Sequence, residues 1–88
     1  MIRKHIIFHG SVQGVGFRYR ARYAADMYRC TGWAKNEYDG TVSMEIQGEE
    51  EAIDRVIMSI EAGSFVRIEI MEVKRMELVE GEGRFRTR

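Results

Sequence analysis

Two stretches of this chain repeat an apolar residue every three or four positions, while most of the segments around them alternate with a period of two. Phe17, Ala21, Ala24 and Tyr28 follow one another at helical spacing, as do Ile53, Val56, Ile57 and Ile60. Each stripe needs an apolar surface to pack on. Residues 2–9 alternate, putting Ile6 and Phe8 on one face, and read as a first strand ending at Gly10. Residues 33–37 and 41–47 read as a hairpin around Tyr38-Asp39-Gly40, and residues 66–70 alternate again. The first helix is expected from Phe17 to about Cys30, with Gly32 as its stop. The second opens on the acidic run 49–51, which suits the positive end of a helix dipole, and closes at Gly63. The order β-α-β-β-α-β predicts an α+β, ferredoxin-like sandwich: an antiparallel sheet of four to five strands with two helices on one face. Met71, Val73, Met76 and Leu78 break the alternation, which predicts a bulge or bend before a last short strand near Phe85.

Charge decides the hairpin register. A two-residue Asp-Gly turn would pair Tyr38 with Thr41 and put Lys35 and Glu37 on the apolar face of Val42, Met44 and Ile46. A three-residue loop, with Gly40 left-handed, pairs Glu37 with Thr41 and aligns Ala34 and Asn36 with that face instead. The second register is expected. It turns Asn36 toward the helices.

A chain of 88 residues, 44% hydrophobic and 32% charged, suits one compact domain over residues 1–88 and lies far from the composition of disorder. Fourteen basic side chains balance fourteen acidic ones. No general attraction to nucleic acid or membrane is therefore expected, and any anion site must be local. The lone Cys30 excludes an intrachain disulfide, and the short run Ile6-Ile7-Phe8 is no signal-peptide core or membrane span. A cytoplasmic protein is expected.

The loop from Gly10 to Arg18 breaks several local rules together. Gly10, Gly14 and Gly16 permit unusual backbone angles, and the helix start behind them presents unpaired amides and a positive dipole end. Arg18, Arg20 and Arg22 crowd that same start, where cations are disfavoured by about 0.3–1 kcal/mol each unless an anion binds. From composition alone the loop reads equally well as a glycine turn beside a solvated arginine face. It lacks the Gly-Lys-Ser/Thr ending of a nucleotide-triphosphate loop and the third glycine of a dinucleotide fingerprint. His5 and His9 lie about 13 Å apart along a strand with no further ligand cluster, so no metal is expected. Cys30 has no activating partner in the sequence, Trp33 is expected in the core, and the six methionines read as packing residues.

Two longer motifs carry a family resemblance. Phe8-His-Gly-Ser-Val-Gln-Gly-Val-Gly-Phe-Arg18 resembles the first acylphosphatase motif; Gly32-Trp-Ala-Lys-Asn36, followed by Gly40-Thr-Val42 and Gly48, resembles the second. The resemblance covers nearly the whole chain and is sharp over residues 8–18 and 32–48. It implies a phosphate cradle of backbone amides at Gly14, Val15, Gly16 and Phe17, with Arg18 as the phosphate-binding cation and Asn36 orienting the attacking water. The side-chain chemistry agrees with these roles. Arginine's planar fork binds phosphate oxygens bidentately and stays charged, and an asparagine amide can hold water without ionising. The resemblance gives no residue of either motif the part of a dedicated general base or covalent nucleophile, so hydrolysis by position and charge is expected, with no cofactor. A small-molecule acyl phosphate is the expected substrate, inorganic phosphate a product and inhibitor, and a monomer the expected state.

The second half departs from the family pattern. Ala62-Gly-Ser-Phe65 lacks the prolines usual there, and the tail from Gly81 is basic and weakly strand-like. The chain also resembles the acylphosphatase-like domain of hydrogenase-maturation carbamoyl transferases, a reading that a free-standing chain argues against. A non-catalytic phosphate- or anion-binding module of the same fold is the alternative of a different class. An RNA-binding sheet is not expected, because residues 41–47 offer no stacking aromatic and carry Glu45.

Overall fold

The periods of two and 3.6 give seven elements in the computed structural model, which describes residues 1–88. They are β1 (Ile2–Ser11), α1 (Phe17–Met27), β2 (Thr31–Asn36), β3 (Val42–Gly48), α2 (Glu50–Glu61), β4 (Arg67–Met76) and β5 (Phe85–Thr87). The strand order across the sheet is β4-β1-β3-β2-β5. Ile6 and Phe8 of β1 stand opposite Met44 and Val42 of β3, and Ala34 of β2 continues the row. These residues are buried beneath the stripes Phe17/Ala21/Ala24 of α1 and Ile53/Val56/Ile57/Ile60 of α2. The helices therefore cover one face of the sheet, as the order of periods predicts.

The hairpin takes the three-residue register. Asn36 pairs with Val42 and Ala34 with Met44, the Glu37 amide donates to the Thr41 carbonyl at 2.8 Å, and Gly40 has φ 94°. The phase break in β4 is a bulge: His9 pairs with Ile70 but Gly10 with Ile68, leaving Glu69 as the extra residue. Met71 and Val73 then stand opposite Phe8 and Ile6, so the strand runs on to Met76. The fifth strand also forms. It pairs parallel to β2, with Phe85 opposite Gly32, so one ladder of an otherwise antiparallel sheet is parallel. The reason is the path: β4 and β5 lie on opposite edges, and residues 77–84 cross the helix-free face to connect them.

Two expectations need correction. Helix α1 stops before Gly32: Arg29 takes the left-handed conformation (φ 59°), and the amides of Arg29 and Cys30 reach back to the carbonyls of Asp26 and Ala25. Gly32 instead lies within β2 at φ 139°, where a Cβ would overlap the Glu45 carbonyl oxygen. Trp33 is only half-buried and lies on the helix-free face, its ring 6.3 Å from that of His5 and beneath the Arg88 guanidinium at 4.6 Å. Its odd position in β2, one residue from the core-facing Ala34, sends it there.

Candidate active site

The site begins where β1 ends. Phe17 opens α1 with its ring in the core, edge-on to Phe8 at 4.8 Å, and so fixes the first turn to the sheet. Gly16 caps the helix at φ 82°, ψ 14°, and Gly14 has φ 71°. A Cβ at either would meet nothing within 4 Å, so glycine serves backbone conformation here rather than space. The first helical bond of α1 runs from the Arg20 amide to the Gly16 carbonyl at 3.0 Å. None of the amides from Gly14 to Tyr19 donates a hydrogen bond within the protein. Successive N–H groups so exposed, with a helix dipole behind them, form an anion-binding concavity.

Arg18 stands on this turn, half-buried, and its Nη1 donates to the main-chain oxygen of Arg88 at 2.6 Å. Asn36 comes from the end of β2, on the face turned toward the helices. A cleft of about 180 Å³ is lined by Val12, Gly14, Gly16, Phe17, Arg18, Tyr19 and Asn36. Of the residues singled out in the sequence, Gly14, Gly16, Phe17, Arg18 and Asn36 therefore meet. Val15 does not line the cleft; its side chain packs against the core, leaving only its amide available.

Gln13 lies within the first motif, where the sequence gives it no role. Its Nε2 donates to the carbonyls of Glu37, at 2.5 Å, and Thr41, at 2.9 Å. The glycine loop is thereby tied to the hairpin that bears Asn36. A long amide in the middle of a glycine loop was the only hint. Arg20 leaves the site: its Nε donates to the Ser59 carbonyl on α2 at 3.1 Å. Arg22 is exposed. Cys30 is buried, and desolvation pushes its thiol up to about 11, so at neutral pH it is a packed, protonated thiol.

On the helix-free face His9 bonds Glu72 at 2.5 Å, and His5 lies against Trp33. No group of three or more His, Cys, Asp or Glu side chains there or elsewhere is arranged to hold a metal ion. No helix is long and apolar enough to cross a membrane.

An α+β sandwich with two helices on one face of a five-stranded sheet, and with free amides, an arginine and an asparagine at one cleft, belongs to the class of small ferredoxin-like domains. Comparison with known proteins narrows the class. The family model described as Acylphosphatase matches residues 4–87, and the chain belongs to the acylphosphatase family. It is 44% identical over 87 residues to an acylphosphatase of Geobacillus thermodenitrificans, covering 98% of this chain and 93% of that one. The crystal structure of acylphosphatase from Bacillus subtilis superposes with a TM-score of 0.88 at 35% identity, covering 99% of this chain and 98% of that one. The fold is also similar to part of full-length HypF, solved in a phosphate- and nucleotide-bound form, at TM-score 0.84 and 31% identity. That match covers 98% of this chain but 11% of the other.

Proposed function

We propose that the protein hydrolyses carboxyl-phosphate anhydrides at the cleft between the Gly14–Arg18 turn and Asn36, releasing a carboxylate and inorganic phosphate. The observation that carries this reading is the convergence of unpaired amides, one guanidinium and one carboxamide on a single cleft of about 180 Å³. The amides of Gly14, Val15, Gly16 and Phe17 cradle the phosphate oxygens, and Arg18 binds them as a fixed cation. Asn36 holds a water in line with phosphorus. As the water oxygen bonds to phosphorus, the bond from phosphorus to the acyl oxygen breaks and its electron pair leaves on the carboxylate. The water proton passes to a phosphate oxygen, so no side chain need change protonation. This suits a cleft lined by no histidine, cysteine or carboxylate: a loose transition state with a good leaving group responds mainly to position and charge.

Residues 1–88 act in this reading as one acylphosphatase-like domain, monomeric and cytoplasmic, with inorganic phosphate as product and competitive inhibitor. The balanced charge and the free buried thiol of Cys30 support that setting. The purified protein is expected to hydrolyse benzoyl phosphate well above the uncatalysed rate, with inorganic phosphate competing and chloride at matched ionic strength not. Turnover at background, with phosphate still raising the melting temperature, would make the protein an anion-binding module instead.

A further inference from the structure

The 180 Å³ cleft does not end at Arg18. Tyr19 lines it and also lines a second, larger groove of about 410 Å³ formed with Arg20, Tyr23, Ala24, Met27 and Ser59. Tyr19, Tyr23 and Met27 recur every four residues along α1, so they form one ridge about 12 Å long by helix rise, apart from the buried Phe17/Ala21/Ala24 stripe. These large apolar side chains are 73%, 60% and 57% exposed. The two tyrosine rings stack, with centroids 6.4 Å apart and planes 27° apart. Ala24 forms a floor that is itself almost fully buried, and the bond from Arg20 to the Ser59 carbonyl closes the far wall against α2. An apolar trough that shares a wall with a phosphate cradle is where the non-reacting part of a phosphorylated molecule would lie.

We infer that this groove is the acyl-group site, with Tyr19 and Tyr23 as specificity-determining residues that favour flat, apolar acyl groups over small ones such as acetyl. The inference rests on the function proposed above. A phosphate held by the Gly14–Arg18 turn directs its acyl substituent past Tyr19, and an aromatic ring then stacks beside Tyr23 while its edge meets Met27. An acetyl group is too short to reach beyond Tyr19 and gains nothing from the rest of the trough.

The test is the ratio of kcat/KM for benzoyl phosphate to kcat/KM for acetyl phosphate, measured with the parent, Tyr23→Ala, Met27→Ala and Met58→Ala. Met58 is an exposed residue of α2 outside the groove lining. The parent should favour benzoyl phosphate. In Tyr23→Ala the ratio should fall about five- to tenfold, the loss expected for one aromatic contact, chiefly through KM for benzoyl phosphate. Met27→Ala should lower it by a smaller factor, and Met58→Ala should leave it as in the parent. Inhibition by inorganic phosphate should be the same in all four proteins, because the cradle is untouched. A Tyr23→Ala ratio equal to the parent's, with both substrates turned over, overturns the acyl-group site and leaves the hydrolase reading intact. A parent that turns over neither substrate removes both.

Discussion

Arg18 is the only guanidinium on the lining of the cleft, because Arg20 is engaged with the Ser59 carbonyl. Arg18→Gln should therefore lower kcat/KM for benzoyl phosphate by about 10³ or more, as loss of an arginine on a transferring phosphoryl group does. Its melting temperature should stay within a few degrees of the parent, since the side chain lies off the buried stripe of α1. Normal turnover in this variant would show that the arginine assignment is wrong. Asn36→Ala separates water positioning from phosphate binding. Turnover should fall on the order of 10²–10³-fold, comparable with losing one positioned polar group, while inhibition by phosphate persists. Loss of phosphate inhibition would instead make Asn36 part of the cradle. Both residues stand in motifs that sequence alone singles out; Gln13 stands in the first of them too, but its part in joining the two is not legible there, because its partners are main-chain carbonyls 24 and 28 residues away.

At the scale of elements, the end of α1 is where local rules and the fold disagree. Glycine is the residue that tolerates the left-handed closing position of a helix, yet Arg29 occupies it at φ 59° and Gly32 is drawn into β2. Glycine cannot be spared from β2, where a side chain would collide with the backbone of β3. Arg29→Gly should relieve the left-handed strain and raise stability by about 0.5–1 kcal/mol, read from the urea midpoint at constant m. Activity should be unchanged, because Arg29 is remote from the cleft lining. A lower midpoint would mean that Arg29 contributes contacts outweighing its strain.

Across the whole molecule, the segment between β4 and β5 is held to the helix-free face by an ion pair. Arg3, only 1% exposed, donates to Glu82 at 2.7 and 3.2 Å, to Glu45 at 3.0 Å and to Gln47 at 3.0 Å. Gln47 in turn accepts from the Val79 amide at 2.8 Å and donates to its carbonyl at 3.1 Å. Burial would raise the Glu82 carboxyl, but hydrogen bonds from Arg3 and Thr31 and the nearby Arg3 and Arg88 charges outweigh it and hold the group below the usual 4.5. A carboxylate depressed on folding adds stability that is fully present above its unfolded value and disappears as pH falls through the lower folded value. Glu82→Gln should therefore cost about 1–3 kcal/mol at pH 7 and progressively less below pH 4.5, measured by urea unfolding across that range. A cost independent of pH would mean that the charge of Glu82 does not anchor this crossing.

Periodicity by itself determined the two helices, the strands between them and the face each one buries, because burial of one face leaves a repeat of 2 or 3.6 in the apolar residues. The hairpin register was legible for the same reason: only one alignment keeps Lys35 and Glu37 off the apolar face, and that alignment also turns Asn36 toward α1. The glycine loop and its arginine were legible because they break local preferences together. Only the tertiary structure decided the rest. That Arg3 is buried against Glu82, that Arg88 lies over the Trp33 ring, that β5 runs parallel to β2, and that Tyr19 joins two cavities all depend on contacts made across the fold. A repeat of 2 or 3.6 tells a residue which way to face, but it carries no information on which distant segment will be there to meet it.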